Sequence, residues 1–319
     1  MGQQSDHISY VLITPACNED KFIENTIESV VKQTVLPSKW VIVNDGSTDT
    51  TASIAARYVE KYDWMELINL PPRKGRNFAA KVLAFKAGQE RLKGVEYEVI
   101  GNLDADVTLD EDHFEFLMSK FREDCHLGVA GTIFRQHGYS SETDSFEGQN
   151  YVSGQCQMFR RQCFEDIGGY FPSKVGGIDW IAVTTARMAG WKTRSFREKS
   201  FFHNRALGTA DRGVLASAFM YGKKDYYLGG HPGWELFRCA YRLTKRPYLL
   251  GGIALFSGYV VALLSHAERP VSDTLMKFHR KEQMQKLKNI LVSVCTFKRI
   301  DSFELMPIEK SARPAAPPK

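Results

Sequence analysis

Apolar residues in the first hundred positions form short β-branched runs, and stretches of helical spacing separate them. Ser9-Tyr10-Val11-Leu12-Ile13-Thr14 is such a run, stopped by Pro15, and it predicts a buried first strand. Phe22, Thr26, Ile27, Val30 and Val31 then recur at helical spacing, with Asp20 and Glu24 in the first turns. That pattern predicts a helix over 20–33. Trp40-Val41-Ile42-Val43-Asn44 reads as the second strand, Thr50–Tyr62 as a helix and Met65–Leu70 as the third strand. A helix over Phe78–Arg91 follows, and a fourth strand, Tyr97-Glu98-Val99-Ile100-Gly101-Asn102, runs into Asp104. Strands alternating with helices imply right-handed crossovers and a mostly parallel sheet of the α/β class. Ligands on such sheets bind beyond the carboxyl ends of the strands. Thr14–Glu19, Asp45–Asp49 and Asp104–Asp106 all fall at those ends.

Past Asp106 the pattern is mixed. Leu127–Phe134 and Gly154–Phe159 read as strands, and Glu142–Tyr151 as a polar loop or short helix. Ile181–Ala189 reads as a helix, followed by two strands, Lys192–Phe196 and Ser200–Phe202. No internal repeat is visible. Ser311–Lys319 is rich in Pro, Ala and Lys, a composition expected to be disordered.

Composition narrows the field only a little. The 319 residues are 43% hydrophobic, enough for one large core with appendages. The net charge of +5 permits contact with phosphates or an anionic surface and proves neither. None of the six cysteines stands in a Cys-x-x-Cys pair, so there is no zinc or redox signature, and reduced thiols of a cytosolic protein are expected. Met1 to Ser9 are polar and resemble no secretory signal.

Candidate chemistry sits at the strand ends. Leu103-Asp104-Ala105-Asp106 puts two carboxylates one residue apart at a strand tip. Unpaired burial of either is costly, so such a pair belongs beside a cation. A hard divalent ion, Mn²⁺ or Mg²⁺, takes carboxylate and phosphate oxygens together. A solvated turn is the plain alternative for an isolated Asp-x-Asp. Asn44-Asp45-Gly46-Ser47-Thr48-Asp49 combines a tight turn with a helix start, and Ser47, Thr48 or Asp49 is placed to cap that helix. Asp45 is also placed to accept a hydrogen bond from a nucleobase. Neither a Gly-x-Gly-x-x-Gly nor a P-loop follows the first strand, which argues against dinucleotide enzymes and P-loop nucleotidases.

Pro15-Ala16-Cys17-Asn18-Glu19, Asn44-Asp45-Gly46-Ser47-Thr48-Asp49 and Asp104-Ala105-Asp106 resemble, in order and spacing, the successive signatures of glycosyltransferase family 2. The resemblance runs from about Ser9 to His203. It implies a GT-A fold, a Rossmann-like sheet flanked by helices, and a nucleotide-sugar donor. Pro15 and Glu19 would line the nucleoside pocket, Asp45 would contact the base, and Asp104 would face the ribose or sugar. Asp106 would bind the metal on the diphosphate. Lys74-Gly75-Arg76 and the helix carrying Lys81 resemble the family's basic loop. Gly177-Ile178-Asp179-Trp180 stands where the family usually has Glu-Asp, so Asp179 inherits the general base while Ile178 replaces the first carboxylate. A cap for the helix beginning near Trp180 is the plain alternative for Asp179 and is compatible with the base, which its position relative to Asp106 favours. His203 would add a metal ligand, and Arg205 and Arg212 could reach the diphosphate. One base and no covalent intermediate imply inversion at the anomeric carbon.

Residues 248–264 carry no charge and include Gly251, Gly252 and Gly258, with Lys245 and Arg246 before them and a basic segment after. Seventeen positions fall short of the ~20 of a spanning helix. An interfacial or re-entrant anchor with both ends cytoplasmic is expected; a buried core helix or an oligomer contact are the plain alternatives. Thr274–Val292 reads as a basic helix. The expected organisation is a catalytic domain over 1–210, a helical, membrane-associating extension over 211–295 and a flexible tail over 296–319. The Gln-x-x-Arg-Trp motif and multiple spanning helices of processive synthases are absent, which implies one sugar added per acceptor. The expected protein is an inverting hexosyl- or N-acetylhexosaminyltransferase at the cytoplasmic face of the membrane. It would use a UDP-sugar and a glycan or lipid-linked saccharide, with no role for nucleic acid. A polyprenyl-phosphate sugar synthase and a catalytically silent nucleotide-sugar-binding scaffold are the alternatives.

Overall fold

The computed structural model describes residues 8–72, 78–136, 139–140, 148–173, 175–205, 213–245 and 247–297. Lys74-Gly75-Arg76, Arg212 and the expected tail from residue 298 lie outside them. The chain begins β1 (Tyr10–Ala16), α1 (Ile23–Val31), β2 (Lys39–Asp45), α2 (Thr51–Val59), β3 (Met65–Leu70), α3 (Phe78–Glu90), β4 (Val99–Leu103) and β5 (Val107–Thr108). It continues through α4 (His113–Glu123), β6 (Leu127–Gln136), β7 (Tyr139–Ser140), β8 (Cys156–Arg160), α5 (Arg161–Asp166), α6 (Ile178–Met188) and β9 (Lys192–His203). Four helices end it: α7 (Val214–Tyr227), α8 (Pro232–Leu243), α9 (Leu250–Leu264) and α10 (Asp273–Thr296).

The strand order is β3-β2-β1-β4-β8-β6-β9-β5, with β7 paired to β6. β1 to β4 form the parallel half that the alternating pattern predicts. In the other half β8 runs antiparallel between β4 and β6, β6 and β9 are parallel, and β5 is antiparallel to β9. Successive side chains leave opposite faces of a strand. Tyr10, Leu12, Trp40 and Ile42 therefore pack with Ile27, Phe114 and Phe121 from α1 and α4. Val11, Ile13, Val41 and Val43 pack with Phe85, Phe164 and Val183 from α3, α5 and α6. Both faces of the central strands are buried, which explains their unbroken apolar runs.

Three local expectations change. Pro15 does not stop β1; it lies within the strand, level with Val43. Near the strand end a proline forfeits one ladder bond and keeps an extended backbone. The two expected strands at 192–196 and 200–202 are one, β9. Its register jumps between Thr132↔Phe196 and Ile133↔Ser200, so Arg197, Glu198 and Lys199 bulge out and interrupt the apolar pattern. Asp179 is not a cap. Helix α6 already begins at Ile178 after Gly177, whose φ of +76° suits glycine.

Candidate active site

The carboxyl ends of β1, β2, β4 and β9 and the amino end of antiparallel β8 meet along one edge of the sheet. The loops after β1 and β2 are laced together there. Asn18 N–H donates to Ser47 Oγ at 3.0 Å, Thr48 N–H to Asn18 Oδ1 at 2.8 Å, and Glu19 N–H to Thr51 Oγ1 at 2.8 Å. Asn18 holds a φ of +56°, a conformation asparagine tolerates better than most residues. Asp49, one of the expected caps, accepts from Thr51 N–H and Thr51 Oγ1–H at 3.0 and 2.6 Å, and from Asp20 N–H at 3.1 Å. Gly46, next to Asp45, has a φ of +70°, and a Cβ there would sit 2.5 Å from Pro72 Cα. These contacts fix where Pro15, Glu19 and Asp45 stand relative to one another.

The acidic pair comes next along the edge. Lys81 of α3 reaches across to pair with Asp104 Oδ1, and Asn102 Nδ2 donates to the same oxygen at 3.1 Å. Asp106 is 8% exposed and His203 5%. His203 Nε2 lies 3.4 Å from Asp106 Oδ2, and Arg205 Nε lies 3.4 Å from the same oxygen. Arg205 also pairs with Glu19. Asn204 locks this end of β9 to the acidic turn: its N–H and Nδ2 both donate to the Asp106 carbonyl, at 2.8 and 3.0 Å.

Charge is divided unevenly among the acids. Burial drives the Asp104 carboxyl above its ordinary range; Lys81 opposes this and the neighbouring Asp106 charge adds to it. Burial pushes Asp106 the same way, but the contact with His203 and the charges of Arg205 and Lys81 outweigh it and hold the group low. Burial, then the Asp106 charge, raises Glu19 to about 7 against the pull of Arg205. A divalent cation fits the donors present. The carboxylate oxygens of Asp106 and Asp104 and an imidazole nitrogen suit Mn²⁺ or Mg²⁺. His203 Nδ1 is buried without a hydrogen-bond partner. Asp106 and His203 alone leave most coordination positions to a diphosphate and water. The tightest set of possible ligands among the described residues is elsewhere, at Asp124, Cys125 and His126. It precedes β6, at the opposite end of the sheet, and Asp124 there is already bound by Lys192 Nζ at 2.7 Å.

Asp179 arrives from the far side. The Gly154 carbonyl accepts from Asn102 Nδ2 at 2.6 Å, and the Gln155 carbonyl accepts from Asp104 N–H at 2.8 Å. A Cβ on Gly154 would strike Asp179 Cβ at 2.7 Å, so the glycine makes room for that carboxylate beside the backbone that Asn102 holds. The Tyr151 hydroxyl donates to Asp179 Oδ2. Arg187, further along α6, donates to the Asn150 carbonyl at 3.0 Å, next to Tyr151. Its other nitrogens pair with Glu282 of α10 at 2.8 and 3.0 Å. Trp180 packs edge-on against His279 of α10, ring centroids 4.4 Å apart. The C-terminal unit thus buttresses the helix that carries Asp179. Sequence reasoning gave no role to Asn102, Tyr151 or the Arg187–Glu282 pair, and took Gly154 only as the start of a strand. Only the position of Asn102 two residues before Asp104 was available as a signal.

Residues 11–151 match the model of glycosyl transferase family 2. That segment takes in β1 to β7, with Asp104 and Asp106, and ends before Asp179. Among curated relatives, the poly-beta-1,6-N-acetyl-D-glucosamine synthase of Staphylococcus epidermidis is 25% identical over 225 residues, covering 64% of this chain and 50% of the relative. The synthase of the same name from Staphylococcus aureus (strain COL) is 29% identical over 149 residues, covering 46% and 34%. The match thus spans half of those relatives or less. In fold, the chain is similar to the mannosyltransferase PcManGT from Pyrobaculum calidifontis in complex with GDP-Man and Mn2+. The TM-score is 0.54 at 18% identity, over 95% of this chain and 84% of that one. S. aureus TarS 1–349 in complex with UDP-GlcNAc is also similar, with a TM-score of 0.53 at 17% identity over 93% and 89%. The chain has the GT-A architecture of these structures.

Proposed function

We propose that the chain is a metal-dependent, inverting glycosyltransferase. It moves one hexosyl or N-acetylhexosaminyl group from a UDP-sugar to a hydroxyl of a glycan or lipid-linked saccharide at the cytoplasmic face of a membrane. The observation that carries the reading is the convergence at one sheet edge of Asp106 with His203, of Asp104 with Lys81, and of Asp179 over Gly154. UDP-GlcNAc is the donor to try first, because TarS was captured with it and the sequence relatives are named for N-acetylglucosamine polymers.

Pro15, Glu19 and Asp45 hold the nucleoside, and Asp104 faces the sugar side. Asp106 and His203 would hold the divalent cation, which when bound neutralises charge on the departing diphosphate. Lys81 and Arg205 supply fixed positive charge beside it. A sugar hydroxyl is a poor nucleophile at neutral pH. Asp179 removes its proton as the new C–O bond forms, a contribution of typically ~10²–10⁴-fold. The Tyr151 hydroxyl holds that carboxylate in one orientation. With a single base and direct displacement, the new linkage has the opposite anomeric configuration to the donor. The test is a transfer assay with UDP-sugars, Mn²⁺ and saccharide acceptors, the product anomer read by NMR. A product that retains the donor configuration, or transfer undiminished in excess EDTA, would refute the reading.

A further inference from the structure

Helices α7 and α9 meet at backbone contact. A Cβ on Gly222 would lie 1.9 Å from the Leu255 carbonyl oxygen, and one on Gly258 would lie 1.9 Å from that of Phe219. Gly251, Gly252, Leu255, Gly258, Tyr259 and Ala262 form the buried stripe of α9. Glycines that cost an ordinary helix stability here permit close crossing. The opposite stripe of Leu250, Ile253, Phe256, Val261 and Leu264 is exposed, Ile253 at 56% and Leu264 at 72%. No charged residue occurs between Leu250 and Leu264. A contiguous exposed apolar face of this kind marks an interaction surface.

Charge chooses the occupant. Partly exposed Arg242 lies against Gly251 in the first turn of α9, and exposed Lys245 stands just before the helix. The acids of α7 and α8 are out of play: Asp225 pairs with Arg238, and Glu235 is buried. Glu268, beyond the far end, is exposed and is followed by Arg269. Anionic headgroups complement these cations. A 15-residue helix is about 22 Å long, short of the ~30 Å hydrocarbon layer. Among the described residues, no helix is long and apolar enough to cross a membrane.

We propose that the outer face of α9 docks flat onto a bilayer carrying anionic lipids, seating its apolar stripe at the headgroup boundary with Arg242 and Lys245 among the phosphates. The proposal deepens the membrane side of the functional reading and does not rest on its chemistry. The test is co-sedimentation of the full chain with vesicles of phosphatidylethanolamine and phosphatidylglycerol, and with phosphatidylcholine alone. The wild type should bind the anionic vesicles. The double variant Ile253→Glu, Phe256→Ser should lose at least about tenfold in partitioning, and Lys245→Glu should show a smaller, salt-sensitive loss. Thermal unfolding and UDP binding of each variant should match the wild type, which keeps failure of the docking face distinct from failure of the donor site. Wild type that stays in the supernatant, or variants that bind as well as it does, would overturn the proposal. So would a wild-type dimer in sedimentation velocity that the double variant disperses without any vesicle binding.

Discussion

The Tyr151 hydroxyl donates to Oδ2 of Asp179, joining the segment before β8 to the first turn of α6. Neither residue sits on a strand of the nucleotide half, yet the pair lies against Gly154, whose carbonyl is bound by Asn102 two residues from Asp104. If this contact orients the base, Tyr151→Phe should lower kcat by about tenfold with little change in donor KM. Loss of one hydrogen bond to a charged group is of that size. Steady-state kinetics with donor and acceptor varied separately will show it; an unchanged kcat would reduce Tyr151 to packing.

Asp179→Asn separates the acceptor classes. A hydroxyl acceptor needs the base, so transfer should fall ~10²–10⁴-fold while UDP affinity is kept. A phosphate acceptor is already ionised, and a polyprenyl-phosphate synthase would tolerate the change. Rates on a saccharide and on a polyprenyl phosphate, measured with the same variant, decide between them.

Glu235 makes the helical extension sensitive to pH. It is 2% exposed, and burial, aided by the Asp225 charge against Arg238, raises its carboxyl from 4.5 to about 8. The folded state therefore holds a proton that the unfolded chain releases above its lower value. Stability from this group is complete below about 4.5 and is lost as pH rises through about 8. Glu235→Gln should leave stability at pH 4 nearly unchanged and gain on the order of a few kcal/mol over the wild type above pH 8. Urea unfolding of both proteins across that range is the check.

Gly258→Ala should be costly far beyond helix propensity, which by itself favours alanine. The added carbon would overlap the Phe219 carbonyl oxygen, and α7 and α9 would have to separate. A loss of about 1–3 kcal/mol or more, seen as a fall of several degrees in Tm, is expected.

The parallel half of the sheet was legible because β1 to β4 are buried on both faces and separated by amphipathic helices. Asp104, Asp106 and His203 were legible through the family resemblance, and the fold brings them to one edge. The interruption of β9 at Arg197–Lys199 hid its continuity, because a bulge looks like a turn when only polarity is visible. Tyr151 and Arg187 carried no signal. Their roles arise from contacts 28 and 95 residues away, which no local pattern encodes. The apolar stretch at 248–264 read as an anchor; its glycines were legible only as a weakness until the crossing with α7 gave them a purpose.

The most direct test is calorimetric titration of UDP into the wild type and into Asp106→Asn, each with Mn²⁺ and with EDTA. Metal-dependent binding by the wild type, lost in Asp106→Asn while thermal unfolding without ligand stays the same, is the expected result. Equal UDP affinity in Mn²⁺ and EDTA, or an undiminished affinity in Asp106→Asn, would contradict the assignment of this edge as a metal–diphosphate donor site.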